Sequence, residues 1–395
     1  SGSHASCLGR CSLRLLADRV LRPTLVLTEP VFLYGTLCDP ELYQIVSGEV
    51  FAPRDARLPG MAIHWVAGES FPIAILTSDS VASGMLVAPG PEARARLDFY
   101  ELGFGYEVKH HQVETDAGPV QAAVYVPEAD WPVAAQWSLV EWQAQHGTLT
   151  RLAAQEYMGL RATHSSTEAA RAFPQIRTRV ASRLRAKEAP SPEPLTPKMS
   201  GMVVPTEKTA QPYTDYFAVR EDWLSFPTFS GGSGPVVKRA SFLGGDAVTV
   251  LPYDPQADSV LMVRQFRHGP FARGDGNPWT LEPAAGRIDV GEAPEETARR
   301  ELFEETGVRA GEMHFVGRYY PSPGAFSEYI YSYVALADLS GVDGGIGGLE
   351  EEAEDIMRHV VPFSEAMAMV ESGAANTAPL ILSLSWLAMN KDRLT

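Results

Sequence analysis

Three shortages bound this 395-residue chain before any motif is read. Cysteine is scarce: only Cys7, Cys11 and Cys38 occur, too few for a disulfide framework and without zinc-finger spacing. A reducing compartment, the cytoplasm, is the expectation. Long apolar runs are missing too, and with no stretch of about twenty such residues there is no candidate transmembrane helix. Leu13 to Leu27 is interrupted by Arg14, Asp18, Arg19 and Arg22, which argues against a signal peptide. Positive charge is the third shortage: 33 Lys and Arg stand against 49 Asp and Glu, a net charge of −16. Nucleic acid and anionic membrane both call for basic patches, so neither is expected as a partner. A phosphorylated small molecule stays open, because a bound divalent cation inverts the local sign.

What is present is ordinary globular usage, 45% hydrophobic and 21% charged, over a length that suits two domains. Residues 1–28 read as a tail whose Ser1-Gly2-Ser3-His4 looks like an expression scar. Residues 29–160 read as an α+β segment, with strands at Val31–Tyr34, Ile73–Leu76, Gly84–Val87 and Val120–Val126. Helical pattern covers Pro91–Tyr100 and most of Trp131–Met158. Residues 161–206 combine a solvated Arg-rich helix, Arg177–Arg185, with a proline-rich linker beginning near Ala186. Residues 207–395 form the second domain, with strands at Ala247–Leu251, Val260–Val263, Phe315–Tyr320 and Tyr329–Ala335. Helices are expected there at Pro294–Glu305, Phe363–Ser372 and Pro379–Met389.

The sharpest chemistry lies in Gly286–Glu292 and Arg300–Val308. Pro294 suits the start of a helix and Gly307 its end. Between them Glu301, Glu304 and Glu305 stand at i, i+3 and i+4, so three carboxylates share one face. Like charges stacked this way repel, and they become favourable when a hard cation sits between them. Arg300 is placed to neutralise and orient a neighbour.

The segment is similar, at every specified position, to the Nudix box, Gly-x5-Glu-x7-Arg-Glu-U-x-Glu-Glu-x-Gly-U with U aliphatic. The resemblance covers about residues 213–394 and implies an α/β/α sandwich that hydrolyses a nucleoside diphosphate linked to another group. It implies Glu301, Glu305 and the Ala285 carbonyl as ligands of Mg2+ (Mn2+ the alternative), with Glu304 in support. Arg264-Gln265-Phe266-Arg267, Tyr320-Pro321-Ser322-Pro323-Gly324 and the acidic run Glu350–Asp355 resemble the ADP-ribose pyrophosphatase branch. On that resemblance Pro323 marks the branch and Glu352, then Glu354, is the catalytic base. Arg267 and Arg239 are phosphate contacts, Tyr216 or Phe217 stacks on adenine, and the protein is a homodimer. A solvated acidic loop and core aromatics are the plain alternatives.

A second motif, Tyr34-Gly35-Thr36-Leu37, follows a hydrophobic strand, where glycine permits a tight loop whose N–H groups can face an anion. With Phe71-Pro72-Ile73-Ala74, Gly84-Met85-Leu86 and Leu97-Asp98-Phe99-Tyr100-Glu101, it resembles the γ-glutamylcyclotransferase-like (AIG2-like) family, a small β-barrel with helices. The resemblance implies that Tyr34–Leu37 holds a glutamyl group and that Glu101 is the general acid/base. Phe99, Tyr100 and Phe104 would supply the apolar surroundings that raise its pKa. A silent N-terminal domain on a nucleotide-sugar sensor is the competing reading. Bacterial fusions of these two domains are labelled tellurite-resistance-related, and no chemistry of tellurium is legible here.

Overall fold

Strand alternation sets the architecture of the N-terminal half of the computed structural model, which describes residues 29–189, 203–342, 344–348 and 354–394. In β1 (Val31–Leu33), Val31 and Leu33 belong to one apolar cluster, while Phe32 and the adjoining Tyr34 belong to another. Successive side chains of a strand point to opposite faces, so β1 divides two layers of core. Around the second cluster run β2 (Arg54–Val66), β3 (Pro72–Val87), β4 (Tyr106–Thr115) and β5 (Gly118–Pro127). The order is β3-β1-β5-β4-β2, and β2 pairs back onto β3, closing a barrel; β6 (Val133–Gln136) adds to β2 outside it. Gly84 is required inside, since a Cβ there would fall on the Leu33 carbonyl and the Phe32 ring.

Helices cover one side of the barrel: α1 (Pro40–Ser47), α2 (Pro91–Leu102), α3 (Leu139–Trp142), α4 (Thr148–Gly159) and α5 (Ser166–Glu188). They bury Leu42, Leu97, Trp142, Tyr157 and Ile176 against Val31, Leu33 and Tyr125. Three sequence expectations change here. Ile73–Leu76 and Gly84–Val87 are parts of the single long strand β3. Its partner β2 was not foreseen because a bulge at Gly60 (φ +77°) shifts the phase of its alternation, from Ala56 and Leu58 to Met61 and Ile63. Val133–Gln136 is strand rather than helix, and the helix begins only after Ser138, whose hydroxyl caps the Glu141 N–H.

The third correction concerns α5. Expected to be solvated, it instead buries Ile176, Arg179, Val180, Ala181 and Ser182. It also ties the two halves together. Arg179 pairs with Glu156 at 2.7 Å and donates to the Asp215 carbonyl at 3.3 Å. Ser182 and Arg185 both donate to Asp246, Arg185 at 2.8 Å, and Gln175 accepts from Arg287.

The C-terminal half opens with an antiparallel sheet of β7 (Thr206–Thr214), β8 (Ala218–Leu224) and β9 (Val237–Leu243). Strands β7 and β9 are mostly exposed and β8 is half-buried along nearly its whole length, so none shows the apolar alternation that would have betrayed it. The main sheet takes β10 (Ala247–Asp254) and β11 (Ser259–Phe266), then, after α6 (His268–Arg273), β12 (Trp279–Glu282) and β13 (Ala284–Arg287). Helix α7 (Pro294–Thr306) follows, then β14 (Met313–Tyr319), β15 (Ile330–Leu336), β16 (Ile346–Gly347) and β17 (Ile356–Pro362). The chain closes with α8 (Phe363–Ser372) and α9 (Ala378–Asn390). Val248, Val250, Leu261 and Val263 face Ala298 and Leu302 of α7, while Leu251, Tyr253, Val260 and Met262 face Leu380, Leu384 and Leu387 of α9. Both faces of β10 and β11 are therefore buried, which makes the α/β/α sandwich expected from the sequence. Among the described residues no helix is long and apolar enough to cross a membrane.

Candidate active sites

In the C-terminal half the site grows from one helix and the strand hairpin beneath it. Pro294 opens α7, and Gly307 closes it at φ +72°, a conformation that suits glycine. Glu301 lies against Gly286 of β13, where a Cβ would occupy the position of its carboxylate. One turn on, Glu305 is only 1% exposed. Its Oε2 accepts from the Ala285 N–H at 3.2 Å, and its Oε1 is buried with no hydrogen-bond partner among the described residues. Burial first, then the charges of Glu301 and Glu354, push the Glu305 carboxyl up to about 9. Such a group needs a proton or a cation beside it.

Arg300 organises the rim. It donates to Glu292 at 3.0 and 3.1 Å and to Glu304 at 2.9 Å, and it pairs with Glu301 at 2.9 Å. The Arg300 hydrogen bonds hold the Glu292 carboxyl below the usual carboxylate range. Gly347 packs onto the Glu305 carbonyl, bringing the loop that leads to the acidic run over the end of α7. Glu350, Glu351 and Glu352 lie outside the described residues; Glu354 lies inside them, close enough to raise Glu305 and to act on Arg267. Among the described residues no three acidic, histidine or cysteine side chains converge on one point closely enough to hold an ion. The orphaned Glu305 oxygen, the glycine cradle under Glu301 and an all-oxygen donor set nevertheless fit a hard divalent cation.

The remaining expected contacts divide. Arg267 lies near Glu305 and Glu354, but its fork is engaged bidentately by Glu282, at 2.9 and 2.8 Å. Arg239, on β9, bonds only the neighbouring Lys238 carbonyl, and no contact brings it to the acidic cluster among the described residues. Tyr216 and Phe217, in the β7–β8 turn, are not core: they are 54% and 43% exposed. The Arg287 guanidinium stacks over their rings at 4.0 and 5.3 Å, one residue from Gly286. Pro323 is exposed in the β14–β15 connection, whose Phe326 stacks on Phe242 of β9. Glu328, given no role by the sequence although it follows the Tyr320–Gly324 motif, is half-buried near Arg287 and Arg267, and its burial raises its pKa.

In the N-terminal half the expected residues meet in one place. A cavity of ≈ 360 Å³ is lined by Tyr34, Gly35, Thr36 and Leu37 on one wall and by Glu101 with Tyr100, Phe104 and Tyr106 on another. Gly35 starts a 3-10 turn, Thr36–Cys38, so the first N–H groups of that turn have no partner within it. A Cβ on Gly35 would lie 2.9 Å from the Pro72 ring. Tyr34 donates to the Tyr125 carbonyl at 2.7 Å, and Tyr125 to Asp98 at 2.6 Å. Burial alone pushes the Glu101 carboxyl up to about 8. The phenols of Tyr34, Tyr100, Tyr106, Tyr125 and Tyr157 are raised by burial and further by Glu101, which lies among them. The sequence reading missed Arg177, Phe173 and Pro174 of α5, which complete the cavity from more than seventy residues downstream of Glu101.

The model of the NUDIX domain matches residues 244–383, and that of "Gamma-glutamyl cyclotransferase, AIG2-like" matches residues 31–144. The ADP-ribose pyrophosphatase of Haemophilus influenzae is 34% identical over 184 residues, 46% of this chain and 84% of that protein. The Escherichia coli K12 ADP-ribose pyrophosphatase is 36% identical over 182 residues, covering 46% and 86%. A GDP-mannose pyrophosphatase of Enterobacter sp. strain 638 is 32% identical over 154 residues, covering 39% and 78%. The chain belongs to the Nudix family through its C-terminal half, and residues 31–144 carry a γ-glutamylcyclotransferase-like (AIG2-like) domain by their match to that family model.

Proposed function

We propose that the C-terminal half hydrolyses the diphosphate of ADP-ribose, or of a close nucleoside diphosphate sugar, to AMP and ribose 5-phosphate with Mg2+ as cofactor. The observation that carries this reading is the buried, unpartnered oxygen of Glu305 beside Glu301 at the Gly286 cradle. Glu301, Glu305 and the Ala285 carbonyl would hold the cation, Mn2+ being the alternative, while Arg300 fixes Glu304 and Glu301. Bound there, a divalent cation neutralises diphosphate charge and makes water more acidic. Glu352 is the first choice for the base that takes a proton from the attacking water, with Glu354 the second. Arg267, held by Glu282, would offer its remaining N–H to a phosphate oxygen. The exposed faces of Tyr216 and Phe217, backed by Arg287, suit an adenine ring.

Relatives named for ADP-ribose support that substrate, and one named for GDP-mannose supplies the competitor. The test is a panel of ADP-ribose, GDP-mannose, ADP-glucose and NADH with Mg2+, reading nucleotide release. ADP-ribose is expected to lead in kcat/KM by at least about tenfold, or 1.4 kcal/mol. A lead by GDP-mannose would reassign the substrate, and binding without cleavage of any compound would favour the sensor. A cytoplasmic homodimer completes the reading, supported by Phe217, Phe226, Phe229 and Phe242 exposed on or beside the β7–β9 sheet. Light scattering at micromolar concentration tests the dimer.

For the N-terminal half we infer γ-glutamyl cyclotransfer, supported by Glu101 and the Tyr34–Leu37 loop sharing one cavity. The substrate's α-amine attacks its own γ-carbonyl; the new C–N bond closes the ring as the bond to the leaving amine breaks. Glu101 takes the proton from the α-amine and returns it to the leaving nitrogen, so atoms and charge balance. A γ-glutamyl amine, assayed for 5-oxoproline with wild type and Glu101→Gln, tests this.

A further inference from the structure

Helix α5 and the turn that carries Tyr216 and Phe217 both fall between the two segments that match known families, 31–144 and 244–383. Three contacts run from the N-terminal half to that turn and to Arg287 beside it. Glu156 of α4 accepts from the Gln211 side-chain amide at 3.0 Å. Arg179 of α5 donates to the carbonyl of Asp215, the residue just before Tyr216, at 3.3 Å. Gln175, one turn earlier on the same face of α5, accepts from Arg287 through its Oε1. The helix approaches so closely that a Cβ on Gly245 would fall 2.5 Å from the methyl group of Thr178.

Arg287 is the middle link. Its guanidinium lies 4.0 Å from the centroid of the Tyr216 ring and 5.3 Å from that of Phe217, and the two rings stand at 88° to each other. Tyr216 is therefore the ring the guanidinium supports, and at 54% exposed it keeps surface open to a flat ligand. Among the described residues Arg287 has no ion pair, so the bond to Gln175 sets the plane of its guanidinium. A long side chain held only at its stem samples many rotamers, each backing the ring differently. Gln175 removes that freedom before a ligand arrives, which lowers the ordering cost of binding.

We propose that Gln175, a residue of the N-terminal half, is a positioning residue of the nucleotide site: it fixes Arg287 behind Tyr216 so that the ring is set to receive the base of a nucleoside diphosphate. The assignment rests on the reading of Tyr216 and Phe217 as the platform for the base, and extends that platform across the seam to α5. The base does not react, so the support is equal in bound substrate and transition state. Its loss raises KM and leaves kcat alone. The platform is complete only when both halves are present.

The test uses the full chain, with Mg2+-dependent hydrolysis of ADP-ribose and calorimetric binding of AMP as readouts. Gln175→Leu keeps a good helix former and deletes the acceptor. The KM for ADP-ribose and the Kd for AMP should both rise about tenfold, within the worth of one base–aromatic stack. The kcat, and inhibition by ribose 5-phosphate, which has no base, should not move. A seam that was merely loosened would instead lower the melting temperature and kcat together. Gln175→Glu retains the acceptor and should restore both values. Gln175→Ala repeats the measurement with a smaller side chain, and thermal melting checks the fold of each variant. Tyr216→Ala is the reference and should weaken AMP at least as much. If Tyr216→Ala weakens AMP while Gln175→Leu does not, or if Gln175→Leu lowers kcat at unchanged KM, the role of Gln175 is overturned and the platform stands. Unaltered AMP binding in Tyr216→Ala defeats the platform reading and this assignment together.

Discussion

Glu101 and Glu305 both sit where a carboxylate charge is poorly solvated, and they differ in what stands around them. Glu101 has phenols for neighbours and burial as its sole perturbation, so a proton satisfies it; Glu305 has two further carboxylates beside it, so a cation does. The sign of the Glu101 shift fixes its linkage. With a folded value of about 8 against an ordinary 4.5, the folded chain holds a proton that the unfolded chain has lost across that window. Its contribution to stability is therefore complete below pH 4.5 and declines as pH rises towards 8. Glu101→Gln should raise the melting temperature of the N-terminal half by a few degrees more at pH 8.5 than at pH 4.5, as read by calorimetry. If Glu101 takes the α-amine proton, kcat/KM for 5-oxoproline formation should climb with pH and level off just above 8. At the other site, Glu301→Gln and Glu305→Gln should each lower Mg2+-dependent turnover more than about 100-fold, since even residues that only orient a ligand cost 10–100-fold. Undiminished turnover in either would remove that residue from the cation site.

At the scale of the element, the β13–α7 pair shows how backbone geometry supports the carboxylates. Gly286→Ala would place a methyl group on the Glu301 carboxylate and force it to swing away. The expected result is loss of diphosphatase turnover and of Mg2+-induced stabilisation, with 5-oxoproline formation unaffected. Helix α7, its ends and its three glutamates were legible in the sequence because Pro294, Gly307 and the i, i+3, i+4 spacing are local signals. The buried strands β10 and β11 were legible for the same reason. What escaped was set by partners far away in the chain. The exposed β7–β9 sheet has no apolar period, the Gly60 bulge resets the period of β2, and the Arg-rich face of α5 looks solvated until Glu156 and Asp246 are seen opposite it. The Tyr34–Leu37 loop and Glu101 were likewise readable, whereas Arg177 was not, because nothing local marks a helix as the wall of a cavity built by the barrel.

For the whole molecule, the two candidate sites use separate residues, yet α5 holds side chains of both halves. Asp246, 3% exposed at the head of β10, receives Ser182 and Arg185 from that helix, and Gln175 accepts from Arg287 beside the Gly286 cradle. Replacing Asp246 by Ala leaves the largely buried guanidinium of Arg185 without its carboxylate and should destabilise the protein by about 3 kcal/mol, measured by urea denaturation. A change below 1 kcal/mol would mean that this contact carries little of the union between the halves.

The helix also decides where the molecule tolerates being divided. A cut in the stretch 190–202, where the composition changes, looks like a clean separation, but it sends α5 away with the barrel. The C-terminal fragment would then present the buried carboxylate of Asp246 and the guanidinium of Arg287 to water, stripped of the groups that answered them. Anyone dissecting this protein should expect the shorter piece beginning near residue 203 to express poorly, and one that keeps residues 166–189 attached to fare better. The seam that matters for construction runs along a surface of contact, not along the chain.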